Sequence, residues 1–149
     1  MSSATWSVSV DRPIQDVFGF LAEGTNNPMW QPGISLVARV SPTDVGLGEG
    51  ARYVQRIADS SGRTVEETYV VTRFDPPRLL EYVATRGTTR TVGLFTLARI
   101  DAGTTHVELT LRRETSGLGS TFTRTDGEQL RRQAAALEHL PSAMRDECP

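Results

Sequence analysis

The residues best suited to chemistry lie on two segments that read as neighbouring strands. ARYVQRIA (51–58) and TVEETYVVTRF (64–74) alternate with period two, the pattern of half-buried β-strands. Alternation places Tyr53, Gln55 and Ile57 on one face of the first, and Val65, Glu67, Tyr69 and Val71 on one face of the second. Further on, Leu80, Tyr82 and Ala84 share a face, then Thr91, Gly93, Phe95 and Leu97, then Val107, Leu109 and Leu111. These apolar faces are the inward ones, and their polar heads are few: Gln55, Glu67 and the hydroxyls of Tyr69 and Tyr82. A carboxylate among apolar neighbours is costly unless it is hydrogen-bonded or paired. Glu67 is therefore the most informative residue, and with Tyr82 it is the candidate for acid/base catalysis. Three readings of Glu67 stay open. It is a general base or ligand anchor. It is turned to solvent by a one-residue register shift that brings Glu66 inward. Or it forms an ion pair with Arg86 or Arg113 at the rim.

Other chemistries find no support. The single cysteine, Cys148, sits next to the chain end, and the two histidines are far apart, so no metal cluster can be argued. His106 alternates with Val107 and faces outward; His139, near the end of the last helix, suits the helix dipole. GxSxG is absent, and GLGEG lacks the GKS/T of a phosphate loop and precedes a strand. All sixteen basic residues are arginine, a coding bias expected of a GC-rich bacterium, and this removes Schiff-base lysine chemistry. Net charge is −2 and the arginines are scattered, so nucleic acid is not an expected partner. Arg73, Arg78, Arg86, Arg90, Arg112 and Arg113 are read as solvating the outer face, with Arg86 or Arg90 at a pocket mouth as the alternative. No apolar run approaches the ~20 residues of a membrane span or resembles a signal peptide, and the expected location is cytoplasmic. No cofactor is expected.

The elements that must position these residues follow from the pattern. TWSVSV (5–10) is a strand with Trp6, Val8 and Val10 on one face. In DRPIQDVFGFLAE, Asp11 can cap and Pro13 suits a first helical turn; Ile14, Val17, Phe18 and Leu21 fall on one helical face, and Gly24 is a stop. NNPMWQPG (26–33) has room for one short helix, capped by Asn26 or Asn27, started by Pro28 and ended by Pro32 and Gly33. ISLVARVS follows as a strand, and meander strands continue to THVELTLRRE, with turns such as SSGR, RGTT and DAGT. SGLGS then loosens the chain. Thr125 and Glu128 have capping-box spacing before a last helix whose Leu130, Ala134, Leu137 and Met144 share a face, with Pro141 kinking or ending it. Residues 1–149 read as one α+β domain.

With these words in this order, the chain resembles the START-related polyketide cyclase/dehydrase and lipid-transport superfamily (SRPBCC). That is the helix-grip fold also seen in the birch-pollen allergen. The matching words are VSVDRPIQDVFGFLAE, NNPMWQPGI, GLGEGARYV, VVTRFDPPRLLEY and FTLARIDAGTTHVELTL. The resemblance implies a curved antiparallel seven-stranded sheet wrapped around a C-terminal helix, with two short helices after the first strand and a cavity between sheet and helix. The C-terminal segment departs from the family pattern: it is alanine- and arginine-rich, short, and interrupted at Gly127.

A pocket of this kind implies a small hydrophobic ligand, polyketide-, aromatic- or lipid-like. The expected binding residues are Met29, Trp30, Tyr53, Gln55, Glu67, Tyr69, Tyr82, Thr91, Phe95 and Leu109. Trp30 has a second reading, as a plug at the sheet's end. The alternative function is a cyclase or dehydratase with Glu67 or a tyrosine as acid/base. A third is a partner-binding module such as a chaperone cofactor, the chain being monomer or homodimer.

Overall fold

The computed structural model describes residues 2–41, 46–58, 61–115 and 124–147. SGLGS, the Thr125 side chain of the expected capping box, and Cys148 lie outside the described residues. The elements are β1 (Ser2–Val10), α1 (Ile14–Ala22), a 3-10 helix (Gly24–Met29), β2 (Ile34–Arg39), β3 (Arg52–Ala58), β4 (Thr64–Asp75), β5 (Leu79–Arg86), β6 (Thr89–Asp101), β7 (Thr104–Thr115), α2 (Arg124–Ala135), a 3-10 link (Ala136–His139) and α3 (Leu140–Glu147). The strands form one seven-stranded antiparallel sheet in the order β1-β7-β6-β5-β4-β3-β2. β1 and β2 are therefore its two edges, and α1 with the 3-10 helix carries the chain from one edge to the other.

α1 buries Ile14, Val17, Phe18 and Leu21, as the spacing predicts, together with Phe20 and Ala22. Its start differs from expectation. Pro13, in extended conformation, is the N-cap, and no side chain caps the helix. Instead the buried Thr105 hydroxyl donates to the Arg12 carbonyl at 2.8 Å and ties the helix entry to β7. The short helix also sits earlier than predicted. Pro28 lies inside it, and the asparagines do not cap. Asn26 donates to the Phe20 carbonyl at 3.1 Å and Asn27 to the Tyr69 hydroxyl at 3.2 Å.

The C-terminal segment is two α-helices joined by the 3-10 link, not one helix. Pro141 lacks an N–H and its ring crowds the carbonyl four residues back, inside that link. The α2–link–α3 run nevertheless buries Leu130, Ala134, Leu137, Leu140 and Met144. α2 packs chiefly on β1, with further contact to β7. The β3–β5 half of the sheet is left uncovered by the helix, and a cavity forms there. Trp6, expected to pack with Val8 and Val10, is 40% exposed, because β1 is an edge strand. Val10, at 1%, is in the core.

Candidate ligand cavity

Cross-strand register builds the site in rungs. Gln55 is opposite Glu67, and Tyr53 is opposite Tyr69, which is opposite Ala84. Ala84 is opposite Thr91, which is opposite Arg113. One rung on, Val71 is opposite Tyr82, Tyr82 opposite Gly93, and Gly93 opposite Leu111. Next, Leu80 is opposite Phe95, which is opposite Leu109. Residues on one rung point to the same face, so all these side chains face the helix layer. A β-bulge does interrupt β4, but between Val71 and Arg73, beyond the site residues. Glu67 therefore keeps the inward phase that alternation predicts, and the register-shift reading fails.

These rungs wall a cavity of about 470 Å³, within the ordinary range for small-molecule sites. Its wall includes Tyr53, Gln55, Glu67, Tyr69, Tyr82, Thr91, Phe95 and Leu109. Met29 and Trp30 are not on the wall. Met29 is 50% exposed on the outside of the 3-10 helix, while Trp30, 2% exposed, packs edge-on against Phe95 with centroids 6.1 Å apart. Trp30 is the plug behind the wall. The 3-10 helix ends before it, so the tryptophan turns under the sheet while the exposed helical turn carries Met29 away.

All three tyrosines of the chain meet in one aromatic row. Tyr53 stacks on Tyr69 with centroids at 4.7 Å and planes 19° apart; Tyr69 meets Tyr82 edge-on at 5.4 Å; Tyr82 meets Phe95 at 6.1 Å. Two glycines make this row possible. A Cβ on Gly93 would lie 2.2 Å from Cζ of Tyr82, and one on Gly24 would lie 2.0 Å from the Tyr69 hydroxyl oxygen. Gly24, expected as a helix stop, serves to let Tyr69 approach.

The polar heads gather beside the row. Gln55, 6% exposed, donates from Nε2 to Glu67 Oε1 at 2.7 Å, and its own Oε1 has no partner among the described residues. Glu67 forms no ion pair with Arg86 or Arg113 among the described residues, so the rim salt bridge is not realised. Burial pushes the hydroxyls of Tyr69 and Tyr82 well above the usual tyrosine range; neighbouring Tyr53 adds to this for Tyr69, and the Glu67 carboxylate for Tyr82. Both stay protonated donors at any ordinary pH. Among the described residues no group of three His, Cys, Asp or Glu is placed to hold a metal. His106 is opposite Ser9 on the outer face, and His139 lies 3.8 Å from Glu138, both away from the cavity.

The helix layer supplies Gln129, Arg132, Gln133 and Ala136, an i, i+3, i+4, i+7 stripe that flanks the apolar one. By spacing alone it reads as a solvated face. The arginines also correct the sequence reading. Arg86 lines the cavity, whereas Arg90 is exposed beside Glu114. Arg113, expected outside, is 4% exposed on the inner face and donates to Gln129 and Gln133 at 3.1 Å and to Thr91 at 3.4 Å. The signal was present in the sequence: Val107, Leu109, Leu111 and Arg113 are in phase.

The family described as polyketide cyclase / dehydrase and lipid transport matches residues 1–145. No curated protein sequence matches the chain. Among solved structures, TTHA0849 from Thermus thermophilus superposes with a TM-score of 0.74 at 14% identity, covering 99% of each chain. A START superfamily protein from Mycobacterium smegmatis gives 0.69 at 12% identity, covering 99% of this chain and 97% of that one. The Zhui aromatase/cyclase from Streptomyces sp. R1128 gives 0.65 at 19% identity, covering 97% and 88%. At such identities the likeness is one of fold: the helix-grip architecture of a seven-stranded antiparallel sheet with a C-terminal helix. No helix among the described residues is long and apolar enough to cross a membrane.

Proposed function

The chain belongs to the polyketide cyclase/dehydrase and lipid transport family, and from that premise we propose that it binds a small hydrophobic molecule with an aromatic or polyketide-like body and an oxygen substituent. One observation carries this reading. The rings of Tyr53, Tyr69, Tyr82 and Phe95 form a continuous wall, with the free acceptor of Gln55 and the donor Tyr82 at its side. Planar ligands gain most from such a wall, because ring pairs add about 0.5–1.5 kcal/mol each beyond simple burial. The few polar heads then fix orientation. A flexible acyl chain would use the wall only as apolar area.

The test is calorimetric titration with 2-naphthol and naphthalene, together with thermal shift. A ligand at a hundred times its Kd stabilises by about 2.7 kcal/mol. We expect 2-naphthol to bind about tenfold tighter than naphthalene, and Tyr82→Phe with Gln55→Leu to erase that difference. If neither compound, nor larger polycyclic homologues, stabilises the protein, the reading is wrong.

A second reading is favoured by the placement of Glu67 and Tyr82 together on the cavity wall. In a cyclase or dehydratase, Glu67 would take a proton from carbon next to a carbonyl while the Tyr82 O–H hydrogen-bonds to the developing enolate oxygen. Glu67→Gln should then abolish turnover of a poly-β-ketone while leaving its affinity near wild type. A fully active variant removes Glu67 from any mechanism.

A further inference from the structure

The cavity wall carries two arginines besides its aromatic rings, and they make a demand on the ligand beyond an aromatic body. Arg86, the last residue of β5, and Arg132, from α2, line the same cavity from its two opposite layers. Neither makes an ion pair or hydrogen bond among the described residues. Other arginines of β4–β7 and of the β4–β5 turn are already engaged: Arg73 with Glu81, Arg78 with Asp75, and Arg90 and Arg112 with Glu114. Carried one residue past the Thr68–Thr85 pair, the β4–β5 register sets Glu67 across from Arg86, yet the Glu67 carboxylate bonds to Gln55 and makes no ion pair with Arg86. Among the described residues the charged ones on the wall are Arg86, Arg132 and Glu67, two positive and one negative.

We propose that Arg86 and Arg132 form a clamp for an acidic head group, a carboxylate or phosphate, carried by the hydrophobic ligand. This rests on the cavity's being the binding site for an apolar body, as argued above. Phe95 and Leu109 are buried, while Arg86 is half-buried at the end of β5. The ligand therefore enters body first and leaves its acid between sheet and helix. Guanidinium groups present a planar fork that matches a carboxylate or phosphate with two parallel hydrogen bonds. In a cavity partly shut off from water, such a contact is stronger than at the open surface. Because the two arginines come from different layers, a bound anion also bridges α2 to the sheet over the mouth.

The experiment is calorimetric titration of the full chain, at low salt, with 2-naphthoate, 2-naphthyl phosphate and neutral 2-naphthalenemethanol. At least one anion should bind about tenfold tighter than the alcohol, and the better of the two names the head group. In the Arg86→Gln/Arg132→Gln double variant the anions should fall to the alcohol's affinity, with the alcohol unchanged. Both side chains reach solvent, so the variant should fold, and the alcohol's unchanged affinity verifies this. Equal affinity for anions and alcohol in the wild type, or a preference that survives the double substitution, overturns the clamp and leaves the apolar site standing. Failure of all three compounds to bind overturns both.

Discussion

Gly93→Ala tests the aromatic wall most directly. The new Cβ would lie 2.2, 2.3 and 2.5 Å from Cζ, Cε1 and the hydroxyl oxygen of Tyr82. Carbon atoms make contact at about 3.5–4.0 Å, so the ring must move by more than ~1 Å. The backbone cannot yield easily, because Gly93 and Tyr82 are direct partners in the β5–β6 ladder. The ring must therefore leave its place between Tyr69 and Phe95, at 5.4 and 6.1 Å. Two aromatic pairs at about 0.5–1.5 kcal/mol each put the loss at ~1–3 kcal/mol. Against this, replacing glycine within a strand gains ~0.5–1 kcal/mol. The two ranges combine to a net destabilisation of ~0–2.5 kcal/mol, centred near ~1 kcal/mol, or about 2–4 °C in Tm at that centre for a chain of this length. Urea denaturation of a double-mutant cycle with Tyr82→Ala checks the cause. With the ring gone, Gly93→Ala should be neutral or stabilising. If it is equally destabilising in both backgrounds, or harmless in the wild type, the wall is not held as described.

Gly24→Ala should cost ~1–3 kcal/mol by driving the Tyr69 hydroxyl away from Asn27 and crowding the Tyr53 ring, and denaturation should show the cost partly relieved in a Tyr69→Phe background. Arg113→Ala should cost ~2–3 kcal/mol, since it leaves Thr91, Gln129 and Gln133 without their shared donor; hydrogen exchange should show α2 losing protection before the sheet. Tyr69 and Tyr82 have folded pKa values raised above the unfolded value near ~10, so the unfolded chain loses its protons first. Stability is then fully present below about pH 10 and falls as pH rises above it. Urea midpoints between pH 8 and 11.5 should show this fall, and a Tyr69→Phe/Tyr82→Phe double variant should flatten it; an unchanged slope contradicts the burial argument. Trp30→Phe should lower stability but leave the affinity for 2-naphthol within about twofold, because the tryptophan is behind Phe95 and off the wall.

Period-two alternation was enough to orient the sheet. Tyr53, Gln55, Glu67, Tyr69, Tyr82 and Phe95 were legible as one inward set, because a strand sends successive side chains to opposite faces. That inference survives as long as no bulge interrupts the phase, and the bulge in β4 falls after Val71. The apolar stripe Leu130, Ala134 and Leu137 was equally readable, since it is a local property of helix geometry.

What the sequence could not decide was which surfaces meet. The stripe of Gln129, Arg132 and Gln133 looks like any solvated helix face. It becomes a cavity wall only because α2 settles over β1 and β7 and overhangs the uncovered strands. Trp30 has the same residue type whether it plugs a core or touches a ligand; the end of the 3-10 helix at Met29 and the position of Phe95 choose the plug. Glu67 could have paired with an arginine, yet the β3–β4 register sets Gln55 opposite it, and its hydrogen bond forms there. Patterns within one element are written in local steric rules. Partners between elements depend on how whole layers pack, and that depends on the volume of every side chain between them.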